Sequence, residues 1–221
     1  MLKFVNNSNP SEIGNFIAER ILEKLEDNQK VLWLVPGGSA IIVAVAAAKV
    51  IATHDHHNLT ITLSDERYGL LNHPDSNWRQ LRDAGFSLPE AKLIPVLTEY
   101  DLMKTNEIFA YNLERAISEA SYVIALLGLG ADGHTAGILP NSLAVSSPEL
   151  TCAYEAGNYK RITITPVAAV KINEAIVFAQ GESKWPALKE LAKTLDIKEQ
   201  PAQILKQIEQ VTIFTDYQYE K

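Results

Sequence analysis

Short apolar runs suited to strands alternate with longer stretches in helical spacing along this 221-residue chain, and that alternation restricts it to few folds. VLWLV (31–35), LTITL (59–63), LIPV (93–96), YVIALL (122–127), RITIT (161–165), AIVFA (175–179) and VTIF (211–214) are rich in aliphatic and β-branched residues. Runs of this length, more continuous than alternating, are what strands buried on both faces require. Between them, Asn9-Pro10 opens a segment in which Ile13, Phe16, Ile17, Ile21 and Leu25 share one helical face, with a cap and an early proline marking its start. Ser39 to Ala52 is Ala-rich and apolar nearly all round, the pattern of a helix sunk into the protein. Leu102 to Ala120 and Lys184 to Leu195 read as further helices. Such order predicts βαβ units and an α/β, Rossmann-like fold: a mainly parallel β-sheet flanked by helices on both faces. With no internal repeat, low-complexity tract or linker, residues 1–221 are expected to form a single domain.

Composition narrows the function. The net charge is −7 and no Lys/Arg cluster is present, which argues against nucleic acid, whose binders carry a basic face. A small anion stays compatible with an acidic chain, because helix N-termini and a few local cations suffice to hold one. Cys152 is the one cysteine, so no intramolecular disulfide is expected. The start, MLKFVNNSNPSE, turns polar after five residues, and the apolar run AIIVAVAAA ends at Lys49, too short to span a bilayer. The expectation is a cytoplasmic protein without membrane or nucleic-acid partners, a monomer or small homo-oligomer.

In open parallel sheets ligands sit beyond the carboxyl ends of the strands, so three loops carry the candidates. After VLWLV comes PGGSA: Gly37 and Gly38 let the backbone approach a ligand, and Ser39 is placed to cap the following helix. After LTITL comes SDERYGLLNHPDSNWRQL, where Asp65, Glu66 and Arg67 must pair or meet a ligand to leave water. Asp65 or Glu66 could pair with Arg67 or Arg79, and Ser76-Asn77 stands where an N-cap belongs. After YVIALL comes GLGADGHTAGILP (128–140). Gly128 and Gly130 allow a tight exit, and His134, near an expected helix start, is a natural general base with Asp132 close enough to orient it. His54, His56 and His57 precede a strand, on the opposite side of the sheet from these loops, and read as a solvated connector, not a metal tract. Residues 141–160 lack periodicity and read as a loop crossing the site.

Taken together, PGGS (36–39), DER (65–67), HPDSN (73–77), GLGADGHTAGILP (128–140), RITIT (161–165) and GESK (181–184) resemble the 6-phosphogluconolactonase family, within the sugar-phosphate enzymes that include glucosamine-6-phosphate deaminase. The resemblance implies hydrolysis of 6-phospho-D-glucono-1,5-lactone to 6-phosphogluconate, a step of the oxidative pentose phosphate pathway, without metal or organic cofactor. It casts His134 as the base that activates water, and Asp132 as a group that orients the imidazole or holds substrate. Backbone N–H groups of the glycine loops would stabilise the oxyanion. Gly37, Gly38, Ser39, Asp65, Arg67, Asn77, Gly130, Arg161 and Lys184 would bind the phosphosugar lactone, with the phosphate on Gly38, Ser39, Arg67, Arg161 and Lys184.

The chain departs from the family at Pro36 and Ala40, where SGGST or SGGSS is usual, at AGILPN in place of ASLFPG, and at YEAGNY ahead of Arg161 in place of a Pro-rich segment. Two rival readings are a deaminase-like isomerase and a non-catalytic phosphosugar-binding protein. The first expects DEY and an acidic residue just past the histidine, whereas this chain reads DER and His134-Thr135-Ala136. A dinucleotide site is also disfavoured, because VLWLVPGGSA lacks GxGxxG.

Overall fold

A computed structural model describes residues 2–218. Its elements run β1 (Leu2–Asn6), α1 (Pro10–Glu26), β2 (Val31–Val35), α2 (Ile41–Ile51), β3 (Leu59–Leu63), β4 (Asp65–Arg67), α3 (Asn77–Asp83), β5 (Lys92–Leu93), α4 (Leu102–Glu119), β6 (Tyr122–Gly128), β7 (Thr151–Ala156), β8 (Tyr159–Ile164), α5 (Pro166–Ala169), β9 (Glu174–Ala179), α6 (Trp185–Leu191) and β10 (Gln210–Thr215). Local signals set several boundaries. The Asn9 side chain accepts from the Ser11 N–H and Pro10 follows it, so α1 starts there and turns Ile13, Ile17 and Ile21 inward. β2 and β9 are buried at every residue, as their unbroken apolar runs require.

Seven strands form one sheet in the order β1-β10-β9-β6-β2-β3-β5, and every neighbouring pair is parallel. From β2 the chain builds outward through β3 to β5; it then returns to the other side of β2 as β6 and builds outward through β9 and β10. Right-handed crossovers running in opposite directions place their helices on opposite faces. They also leave a crevice between β2 and β6 where the strand order reverses. β4, β8 and β7 form a second, antiparallel sheet, which carries the loop after β3 across to the far half of the chain.

Several expectations need correcting. The strand foreseen over 93–96 is only Lys92–Leu93: Ile94 still donates to the Ile61 carbonyl at 2.9 Å, but its own carbonyl accepts from the Thr62 hydroxyl at 2.9 Å and the ladder goes no further. Residues 141–160 are not a loop. They hold a 3₁₀ turn at Leu143–Ser146 and most of the β7–β8 hairpin, which turns at Gly157 with φ 58°. Tyr154 from this hairpin packs with Ile138, Ala144 and Val145 in a small apolar cluster of its own. No helix begins near His134 or Thr135; Thr135 instead bridges to Leu129 and Ile138. The last expected helix is shorter, a 3₁₀ turn at Glu182–Lys184 followed by α6.

The amino ends of the central strands are tied to α1 by a buried carboxylate. Glu174, at the start of β9, is 3% exposed; it accepts from Arg20 Nε at 3.0 Å and from the Tyr122 hydroxyl at 2.5 Å, at the start of β6. Burial first, and then the bond to Glu174, push the Tyr122 hydroxyl's pKa up. A phenol held above its unfolded value stabilises the fold below that value, near pH 10, and the contribution is lost as pH rises through the folded one. Stability measured in urea should therefore decline above about pH 10, and decline less steeply in Tyr122→Phe.

Candidate active site

The crevice at the β2–β6 reversal opens into a cleft of about 240 Å³ lined by Gly37, Gly38, Ser39, Asp65, Arg67, Asn77, His134, Arg161 and Lys184, among others. Nine of the eleven residues singled out from sequence thus come together. The other two, Asp132 and Gly130, lie against His134.

After β6 the chain folds back on itself. Gly130 N–H donates to the His134 carbonyl at 2.8 Å, Gly133 N–H to the Gly130 carbonyl at 3.0 Å, and Thr135 Oγ1 to the Gly128 carbonyl at 2.9 Å. Both of these glycine amides are thereby engaged inside the loop, and oxyanion donors from the glycine loops would have to be other N–H groups. The fold-back lays the Asp132 carboxylate on the imidazole: Oδ1 accepts from His134 Nδ1 at 2.6 Å and from its backbone N–H at 3.2 Å. A carboxylate on Nδ1 fixes that proton and leaves the Nε2 lone pair free to accept another. Burial works to raise the Asp132 carboxyl, but the charge and hydrogen bonds of His134 outweigh it, and the acid sits below its ordinary value. Gly130 makes this packing possible, because a Cβ there would fall 2.0 Å from His134 Nδ1 and 2.5 Å from Asp132 Oδ1.

β4 and β8 build a second wall, on which Gly137 N–H rests through Thr163 Oγ1 at 3.0 Å. Their antiparallel register sets Arg67 directly across from Arg161, and Asp65 across from Thr163. Like charges facing each other on a ladder are unfavourable unless something negative lies between or beside them. Asp65 Oδ2 reaches Arg161 only at 3.9 Å. Burial pushes the Asp65 carboxyl above its ordinary value, partly offset by Arg161, Arg67 and His134. Arg67 Nε, Arg161 Nε and Asn77 Oδ1 are buried without a hydrogen-bond partner in the protein, which suits a wall built to meet a polar ligand.

Glu66 performs a structural task that its place in DER does not reveal. Its carboxylate accepts from the backbone N–H groups of Arg67, Asn77 and Trp78 and from Ser76 Oγ, at 2.7–3.1 Å. Burial raises this carboxyl against those donors. The contact fastens the start of α3 to β4, and Ser76 Oγ caps the helix from Arg79 N–H as expected. Asn77 is thereby held over the first loop, its Nδ2 on the Asp65 carbonyl at 2.9 Å. Neither Asp65 nor Glu66 pairs with Arg79, which bonds to Asp83 and the Asn72 carbonyl. Ser39 does not cap: no side chain caps the 3₁₀ turn at Gly38–Ala40 or α2. Its exposed hydroxyl faces the cleft instead.

Ser64, Gly128, Leu129 and Ala136 also line the cleft, unassigned by sequence reasoning. Ser64 and the β6 exit were foreseeable from their place at carboxyl ends of central strands. Ala136, with φ 50°, has no sequence signal, since alanine is unusual in the left-handed region.

The reversed parallel sheet and its switch-point cleft define an α/β protein with a small, cation-walled site. A family model described as glucosamine-6-phosphate isomerases/6-phosphogluconolactonase matches residues 8–214, and the chain belongs to that family. It is 33% identical over 153 residues to a 6-phosphogluconolactonase of Synechocystis, covering 64% of this chain and 63% of that relative. It is 26% identical over 187 residues to that of Thermotoga maritima, covering 81% and 84%. The crystal structure of a 6-phosphogluconolactonase from Shewanella baltica superposes with TM-score 0.81 at 20% identity, over 97% of each chain, and so shares the fold.

The Glu66 contact yields a direct test. Glu66→Ala leaves buried donors at the start of α3 unpaired and should cost about 3 kcal/mol, read as a lower urea midpoint, whereas Glu66→Gln should recover part of the loss.

Proposed function

We propose that this protein is a 6-phosphogluconolactonase, a single-domain enzyme that hydrolyses 6-phospho-D-glucono-1,5-lactone to 6-phosphogluconate in the oxidative pentose phosphate pathway. The observation that carries the reading is that one cleft holds both His134, with Asp132 on its Nδ1, and the facing pair Arg67 and Arg161. The first suits proton transfer and the second a phosphate dianion, the two ends such a lactone presents.

In this reading the phosphate lies against Arg67, Arg161 and Lys184, with Gly38 and Ser39 below it, and the lactone carbonyl comes to His134. Gly37, Asp65 and Asn77 shape the floor that holds the sugar, and Gly130 keeps the base in place. His134 Nε2 takes a proton from water as its oxygen attacks the carbonyl carbon. The tetrahedral intermediate collapses with cleavage of the bond to the ring oxygen, and the imidazolium returns the proton to that oxygen. Asp132 holds Nδ1–H and stabilises the imidazolium while it exists. No step calls for a metal or cofactor. The reading is of a cytoplasmic enzyme, a monomer or small homo-oligomer with neither nucleic-acid nor membrane partner. Among the described residues no helix is long and apolar enough to cross a membrane. The isomerase alternative gains nothing from the geometry, since Thr135, Ala136 and Gly137 follow the histidine.

The test is hydrolysis of freshly generated lactone by wild type and His134→Ala, each against the uncatalysed background. The expected result is acceleration by wild type and a loss of at least about 100-fold in kcat for the variant, with binding of 6-phosphogluconate retained. Rates equal to background in both proteins, with 6-phosphogluconate still bound, would make the chain a phosphosugar-binding protein.

A further inference from the structure

The register that sets Arg67 across from Arg161 also fixes a third side chain. Residues two apart on a strand share a face, so Tyr159 stands beside Arg161 on β8 and lies diagonal to Arg67 on β4, within reach of a long or aromatic side chain. Its ring centroid is 5.4 Å from the Arg67 guanidinium carbon and 5.6 Å from that of Arg161, inside the range of cation–π attraction for both. The two arginines line the cleft and Tyr159 does not, so the ring meets the guanidinium pair from outside the ligand's space. Among the described residues the one ion pair that either arginine makes is the long contact of Arg161 with Asp65.

We propose that Tyr159 is a positioning residue: one aromatic ring shared by two facing guanidinium groups, holding them side by side, with Arg67 Nη1 on the Asp75 carbonyl at 3.0 Å, so that their remaining donors stay turned to the phosphate end of the ligand. The ring's negative face partly compensates two like charges that the β4–β8 ladder forces together. It does so without occupying their N–H groups, as a carboxylate would. Part of the ordering cost of two long, flexible side chains is then met before the ligand arrives. Tyr159 acts on phosphate affinity and leaves the proton transfer at His134 untouched. This rests on the reading of Arg67 and Arg161 as phosphate ligands.

The test compares wild type with Tyr159→Ala, Tyr159→Leu and Tyr159→Phe, by calorimetric titration with 6-phosphogluconate and inorganic phosphate, and by kcat and KM for the lactone. The Ala and Leu variants should weaken both anions and raise KM by about five- to tenfold, with kcat within about twofold. The Phe variant, which keeps the ring, should match wild type, and all three should melt with wild type because the residue is 37% exposed. Full affinity in Tyr159→Leu would reduce the ring to apolar packing and overturn the proposal, as would a fall in kcat at constant KM. If wild type does not accelerate hydrolysis but phosphate affinity still drops in Tyr159→Ala and Tyr159→Leu, the lactonase reading falls and the brace stands. If wild type binds neither anion, both fall.

Discussion

Two adjacent parallel strands, β2 and β6, hand their chains outward in opposite directions, and the crevice at their carboxyl ends is the constraint on which the rest of the structure depends. Helices cannot cover that point, because the crossovers leaving it diverge. The loops that follow the two strands, PGGSA and GLGADGHTA, therefore face one another across open space. The loop after the neighbouring β3 closes a third side by pairing with β8, a strand from nearly a hundred residues further along. The cleft is a product of topology first; side-chain chemistry is added to walls that the sheet has already placed.

Electrostatics then divides the cleft. An acidic chain concentrates Arg67, Arg161 and Lys184 at this one place from three separate elements, which a phosphate can use because cations act over a few ångströms whatever the net charge. The two arginines face each other in a register that costs energy without an anion. The carboxyl nearest them, Asp65, is buried, and burial pushes its pKa above the ordinary value against the pull of Arg161 and Arg67. Asp132 is shifted the other way: against burial, the charge and hydrogen bonds of His134 hold it below its ordinary value.

Much of this was legible in the sequence, for identifiable reasons. Strands such as VLWLV and AIVFA are buried on both faces and cannot be mistaken for solvated segments; loops at their carboxyl ends then mark the site, and nine of the eleven named residues line it. What stayed hidden depends on partners distant in sequence. β7 reads as irregular because its alternation is weak, and it becomes a strand by pairing with β8. Glu66 looks like a site residue in DER until its carboxylate is seen gripping the start of α3. Ser39 resembles a cap because its spacing is right, yet the chain enters α2 through a 3₁₀ turn that leaves the hydroxyl outward. Tyr159 carries no signal at all until strand register sets it beside two arginines.

If one ligand spans the cleft with its phosphate on the arginine wall and its carboxyl carbon at the imidazole, a crystal structure with 6-phosphogluconate bound will show both ends at once. Phosphate oxygens should lie within hydrogen-bond distance of Arg67 and Arg161, and a carboxylate oxygen of the product beside His134 Nε2. A ligand bound the other way round, or seated away from the β2–β6 crevice, would contradict this placement.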